Sequence, residues 1–237
     1  MEQWKERTSL LFGEEKMQRL KNAHVLIVGV GGVGSYVAEL LCRAGVGKLT
    51  LVDGDTVQAS NINRQLPALQ TTIGRDKVDV VGERLKQINP DVELTLLPIF
   101  IKDEIIPNLF EQTEYTFVVD AIDTLTPKCF LIMEAFKREV PVVSSMGAGA
   151  KTDITQVGFS DIWKCNNCKL SRAVRKRLHK LMGIRHKLPV VYSTELPDPK
   201  AIVLIENEQN KKSTCGTVSY MPAVFGCFLA EYVIKQI

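Results

Sequence analysis

The chain has 237 residues, enough for one domain with a full-sized core or at most two small ones. Apolar residues make up 45% and charged residues 24%, as in an ordinary globular protein. A formal net charge of only +3 excludes a chain that binds nucleic acid through overall charge, so any basic site must come from local clustering.

Met1 to Arg7 leads into charged and polar residues rather than an apolar leader. The nearest approach to a membrane span, Tyr220 to Ile234, is too short. A cytoplasmic address without a membrane partner is expected, with Cys42, Cys129, Cys165, Cys168, Cys215 and Cys227 as free thiols. In chain order, Trp4 to Lys21 is helix-like, with Leu10, Leu11, Met17 and Leu20 as apolar points. His24 to Val30 is a strand buried on both faces, Val33 to Ala44 a helix stopped by Gly45, and Lys48 to Val52 a second buried strand. Lys77 to Ile88 is helical and ends at Asn89-Pro90. Val92 to Leu97, Tyr115 to Ala121 and Val140 to Ser145 are further strands, with Thr124 to Arg138 helical between the last two. The alternation predicts an α/β, Rossmann-like, doubly wound and mostly parallel sheet. After Ser145 the pattern changes. Asp153 to Phe159 and Val190 to Thr194 read as strands of a different, antiparallel unit, with a basic helical stretch, Lys164 to Lys187, between them. Val218 to Ile237 is a closing helix with Pro222 near its first turn. The chain is thus read as one domain: a nucleotide-binding part over 1–150, a smaller insertion after the fifth strand over 151–215, and the closing helix over 216–237.

Gly29, Gly31, Gly32 and Gly34 lie between a predicted strand and a predicted helix. They permit a tight turn and let backbone N–H groups approach a phosphate at the helix N-terminus. Asp53 ends the next strand, where an acidic side chain can hold ribose hydroxyls. Alone, this unit indicates only a nucleotide, and NAD and FAD enzymes are its commonest owners. The next segment reverses that expectation. Asp53-Gly54-Asp55 leads into Ser60-Asn61-Ile62-Asn63-Arg64-Gln65, and Gly74-Arg75-Asp76-Lys77 places Lys77 in the first turn of a helix. Arg64 and Lys77 can both point at a triphosphate, and Asp120 or Asp123, ending a later strand at the same sheet edge, can hold Mg²⁺. Two cations, a metal and a glycine cradle suit phosphoryl or nucleotidyl transfer; hydride transfer needs none of them.

The order glycine loop, Asp53-x-Asp55, Asn61-x-Asn63-Arg64-Gln65, Lys77, Asp123 resembles the ubiquitin-activating-enzyme superfamily, which includes the bacterial molybdopterin-synthase and thiamine sulfur-carrier adenylyltransferases. The match runs from Arg7 to about Gly149. It implies adenylation of a carboxylate by ATP, with the ribose on Asp53, the phosphates on Asn61, Arg64, Gln65 and Lys77, and Mg²⁺ on Asp123. Arg7 matches an N-terminal arginine that in relatives reaches the partner subunit's ATP, which implies a homodimer.

Sulfur-carrier activators usually hold zinc with two Cys-x-x-Cys pairs. Cys165-Asn166-Asn167-Cys168 looks like the first, no second follows, and Cys215 and Cys227 lack the usual ligand spacing. A four-cysteine site remains an alternative to ordinary thiols at a helix start. The second half resembles the tRNA threonylcarbamoyladenosine dehydratases, through Ser145-Met146-Gly147-Ala148-Gly149, Asp153-Ile154-Thr155, Leu170 to Lys176, Tyr192-Ser193-Thr194-Glu195 and Gly216 to Pro222. This implies activation of a threonyl carboxylate beside the tRNA anticodon, then ring closure with net loss of water; a sulfur-relay partner is a further possibility of the superfamily. Arg172, Arg175, Lys176, His179 and Lys180 share one face of the basic stretch, which suits phosphates of an anticodon stem-loop as well as it suits a solvated face. Cys215 reads either as a reactive thiol or as a structural one. Glu195 reads either as a group orienting substrate or a monovalent cation, or as a loop pin.

Overall fold

The computed structural model describes residues 3–183, 185–204 and 213–237. Met1, Glu2, Ile184 and 205–212, which fall within the ranges read above, lie outside the described residues.

Five strands of the first half, β1 (His24–Val28), β2 (Lys48–Val52), β3 (Glu93–Leu97), β4 (Phe117–Asp120) and β5 (Val142–Ser145), pair in parallel. With β6 (Val157–Asp161) and β7 (Pro189–Ser193) they form one seven-stranded sheet in the order β3-β2-β1-β4-β5-β7-β6. The expected antiparallel pair is present, since β6 runs against β7 from Val157 opposite Ser193 to Asp161 opposite Pro189. It completes the main sheet rather than standing apart, because β7 pairs in parallel with β5. Helix α6 (Lys169–Met182) lies in the connection between β6 and β7.

Alternation along β1 divides the core. Val25 and Ile27 face a cluster built with α2 (Gly34–Ala44), α3 (Lys77–Ile88) and α7 (Tyr220–Gln236). Leu26 and Val28 face a second cluster built with α4 (Ile106–Glu111), α5 (Leu125–Lys137) and α6. The continuous apolar reading of β1 is thus the reading of a central strand covered on both sides. Helix α2 stops where expected: Gly45 takes φ 95°, and its N–H reaches the Cys42 carbonyl at 3.0 Å.

Helix α1 (Glu6–Asn22) differs from expectation. Gly13, at φ 78° and ψ 163°, breaks it into two pieces. The apolar register therefore does not run through: Met17 and Leu20 are buried, whereas Leu10 and Leu11 are 82% and 76% exposed. Three elements were not anticipated: α4, and a short hairpin of β8 (Ile202–Leu204) with β9 (Ser213–Cys215). Among the described residues, no helix is long and apolar enough to cross a membrane.

Candidate active site

The chain leaves β1 toward β2 on one side and finds β4 on the other, so a crevice opens at the carboxyl end of β1. The glycine loop fills this switch point. A Cβ on Gly29, which has φ 88°, would lie 2.8 Å from the Ala121 carbonyl oxygen beyond β4. One on Gly34 would lie 1.7 Å from the Gly29 carbonyl oxygen, so neither position admits a side chain. Asp53, just past β2, shapes the loop: its two oxygens accept from the Val30 N–H at 2.8 Å and the Asp55 N–H at 2.9 Å. Burial pushes its carboxyl up, opposed by the charge of Lys77 and by these two N–H groups.

Most of the polar residues predicted for the nucleotide gather around this loop. Gly31 lies against the Gln65 amide, and Gly32 against Arg64 and Pro222. Gln65 Oε1 is buried and accepts no hydrogen bond among the described residues. Arg64 is held in a fixed orientation by the Ser60 carbonyl at 3.0 Å and by Asn63 Oδ1 at 2.8 Å. Asn63 Nδ2 in turn donates to the Thr217 carbonyl at 2.9 Å, tying this turn to the segment before α7. Lys77 opens α3 with its side chain only 5% exposed and its ammonium 2.7 Å from Asp55. Asn61 is buried, and its Oδ1 caps the turn by accepting from the Gln58 N–H at 3.1 Å, so its visible work is local.

Of the two later aspartates, the structure separates the roles. Asp120 is fully buried and takes Lys128 at 2.6 Å, Ser144 at 2.5 Å and the Ile122 N–H at 3.1 Å. Burial pushes its carboxyl up, and those donors act against that. Such a carboxylate, buried and already paired with an internal cation, serves the core. Asp123, three residues on, is exposed at the same edge. Lys128 itself was not anticipated, since a lysine in a helix carries no sign in the sequence that it will be buried.

Two other groups of predicted residues lie apart from the loop. Arg7 is exposed in the first turn of α1. Lys5, two residues before it, packs against Gly45 at the C-terminal end of α2. That helix has 11 residues and is about 16 Å long, so Arg7 is not gathered with the loop of its own chain at the opposite end. On α6, the side chains of Arg172, Arg175, Lys176 and His179 line a cavity of about 310 Å³ with Trp163 and Arg185. Lys180 is exposed in the same helix. Arg175 differs from its neighbours, because its guanidinium donates to the Ile162 and Cys165 carbonyls, each at 2.8 Å, and so braces the helix start. Cys168 caps α6 by accepting from the Ser171 N–H, and Cys165 donates to the Asp161 carbonyl; both are buried, and burial pushes the Cys165 thiol up to about 11.

A larger cavity, about 550 Å³, adjoins the nucleotide crevice. Its walls include Asn63, Lys151, Glu195, Gly216 and Thr217. The Glu195 carboxylate accepts the Thr152 and Asp153 N–H groups at 2.9–3.0 Å, which is the loop-pinning alternative. Cys215 is exposed, and its side chain lies against Gly149.

The fold and this loop define a nucleotide-binding α/β protein, and the chain belongs to the ThiF family, whose model matches residues 6–237. Over 242 residues it is 38% identical to the tRNA threonylcarbamoyladenosine dehydratase of Bacillus subtilis, covering 98% of this chain and 93% of that protein. The corresponding dehydratase of Escherichia coli is 34% identical over 252 residues, covering 98% and 94%. The crystal structure of the E. coli tRNA N6-threonylcarbamoyladenosine dehydratase in complex with ATP superposes with a TM-score of 0.89 at 32% identity, covering 99% of this chain and 93% of that one.

Proposed function

We propose that this chain is an ATP-dependent tRNA threonylcarbamoyladenosine dehydratase. The observation that carries the reading is the glycine loop with Gln65 and Arg64 against Gly31 and Gly32 and Lys77 paired with Asp55 beside it, in a chain whose dehydratase relatives match almost end to end. The carboxylate of the modified adenosine attacks the α-phosphorus of ATP, the bond to the β-phosphate breaks, and an acyl-adenylate and pyrophosphate result. A neighbouring atom of the same modification then attacks the acyl carbon, AMP leaves, and the ring closes with net loss of one water. Adenylation supplies the leaving group. The second step is intramolecular, where effective molarities of about 10⁵–10⁸ M make proximity a large part of the rate.

In this reading the glycine loop and the N-terminus of α2 hold the phosphates. Arg64 and Lys77 carry the charge that develops on the departing pyrophosphate. Asp53 takes the ribose, with Asn61, Asn63 and Asp55 shaping the site around it. Among the described residues no three His, Cys, Asp or Glu side chains come together as a cage. Asp123, exposed at the sheet edge, would hold Mg²⁺ in the manner common for this ion, by one or two carboxylates plus phosphate and water oxygens. Mg²⁺ bound there would neutralise phosphate charge. Arg7 acts from a second copy in a homodimer, α6 meets the phosphates of the anticodon stem-loop, and the enzyme works in the cytoplasm. The alternative, activation of a sulfur-carrier protein with its zinc and relay partner, would need further zinc ligands beside Cys165 and Cys168, and among the described residues no three His, Cys, Asp or Glu side chains are grouped to hold a metal.

The test incubates purified protein with ATP, Mg²⁺ and tRNA carrying the threonylcarbamoyl group, followed by nucleoside mass spectrometry. A nucleoside lighter by one water, formed only with ATP, is expected. Arg64→Ala and Lys77→Ala should stay folded and release no pyrophosphate; wild-type turnover in either would remove the roles given to them.

A further inference from the structure

Lys151 is the buried cation that this mechanism leaves unused. It is 3% exposed, yet it lines the 550 Å³ cavity beside Asn63 and Thr217. Its ammonium donates to two backbone carbonyls, Ser193 and Glu195, each at 2.7 Å. The nearby carboxylate, that of Glu195, is already used on the Thr152 and Asp153 N–H groups. An ammonium has three donors; two carbonyls take two of them, the Glu195 carboxylate offsets the burial of the charge only in part, and the third N–H has no hydrogen-bond partner among the described residues. Burial pushes the amine down from the usual lysine range. A buried ammonium with an incomplete set of partners is costly, and the residue before this one has a strained backbone. Ala150 takes φ 60°, a region that side-chain-bearing residues rarely adopt, and is held there by its N–H to the Gly216 carbonyl at 2.8 Å. Its own carbonyl accepts the Asp198 N–H at 2.9 Å.

The missing partner is an anion in the cavity. We infer that Lys151 binds the carboxylate of the threonylcarbamoyl group, placing it for attack on ATP. This rests on the dehydratase reading and adds to it the residue that tells a carboxylate-bearing adenosine from an unmodified one. Asn63 connects the two halves of the site: it lines the cavity and also orients Arg64 at the phosphate loop.

The experiment compares two tRNAs that differ only in the threonylcarbamoyl group, binding to wild type and to Lys151→Gln with a non-hydrolysable ATP analogue present. Wild type should prefer the modified tRNA by on the order of tenfold to a hundredfold, the effect of one charge-assisted hydrogen bond. Lys151→Gln should bind both alike, with ATP-analogue and unmodified-tRNA affinities unchanged. A variant that keeps the preference overturns the assignment alone. If Lys151→Gln no longer binds the ATP analogue, wild-type protein labelled with ¹⁵N-lysine decides. A Lys151 Nζ resonance, assigned through Lys151→Arg, should shift with modified but not with unmodified tRNA, and an equal response to both overturns the proposal. A wild type that neither dehydrates nor prefers the modified tRNA removes the dehydratase reading and this assignment together.

Discussion

At the scale of single residues, two buried lysines have opposite accounts. Lys128 is fully enclosed with Asp120, and Ser144 and the Ile122 N–H also donate to that carboxylate. The pair is complete and lies under the loop that reaches Asp123. Removing one partner strands the other in a dry core. Lys128→Met should therefore cost about 3–5 kcal/mol, read as a fall in the denaturant midpoint at unchanged slope. The double variant Lys128→Met with Asp120→Asn should recover part of that loss, because the uncompensated charge has gone. A single variant within about 0.5 kcal/mol of wild type would show that the pair is dispensable to the fold. Lys151 has only backbone carbonyls in hydrogen-bond contact, with the Glu195 carboxylate acting on its charge, and the inference above gives its third N–H to a ligand. Neither lysine was legible in the sequence. Residue type says that a lysine is usually exposed; only the tertiary neighbours, Asp120 in one case and the Ser193 and Glu195 carbonyls in the other, decide otherwise.

At the scale of elements, α6 combines an anchor and an exposed basic face. Val174 and Leu178 pack toward the core, and Arg175 ties the helix to the Ile162 and Cys165 carbonyls, while Arg172, Lys176 and His179 remain exposed. The basic stripe read from spacing thus contains one residue whose first duty is structural. Arg172→Glu with Lys176→Glu should weaken tRNA binding and leave ATP binding alone. The salt slope of the binding constant should fall by about 1 for each phosphate that the helix no longer neutralises. Arg175→Ala should instead lower the melting temperature. If the double charge reversal leaves tRNA affinity and salt slope unchanged, α6 is a solvated helix and the RNA lies elsewhere. Legibility of the elements followed the strength of local signals. Lys48–Val52 and Lys77–Ile88 were read to the residue, the one bounded by Gly47 and Asp53, the other by the Asn89-Pro90 stop. The gathering of Arg64 and Gln65 against the glycine loop was legible for the same reason, because glycines and fixed charges in a short span carry a strong local signal. The hairpin of β8 and β9 gave no such pattern, and its pairing across 205–212 is a tertiary fact.

At the scale of the whole molecule, the remaining puzzle is α1. Its first piece, before the break at Gly13, presents Leu10 and Leu11 to solvent beside Arg7. Within one chain this arrangement does nothing for the site, since Lys5 holds the start of the helix against Gly45, at the end of α2 opposite the phosphate loop. The proposed second copy would give both features a use: the leucines would be covered, and Arg7 would reach the other copy's nucleotide. A two-fold dimer would make the exchange reciprocal. Mixing two inactive variants tests this without a structure of the dimer. Arg7→Ala and Lys77→Ala should each be inactive alone. Mixed under conditions that let subunits exchange, they form a heterodimer in which one site has its own Lys77 and an intact Arg7 from the neighbour. Random pairing then restores about a quarter of wild-type activity, because half the dimers are mixed and each has one working site. Activity that never rises above the sum of the two variants would mean that Arg7 serves its own chain or no site at all. Leu10→Asp, which puts a charge on the exposed piece of α1, should shift the protein toward monomer in sedimentation and abolish complementation. It should leave ATP binding to the loop of each subunit intact, which separates a lost interface from a lost fold.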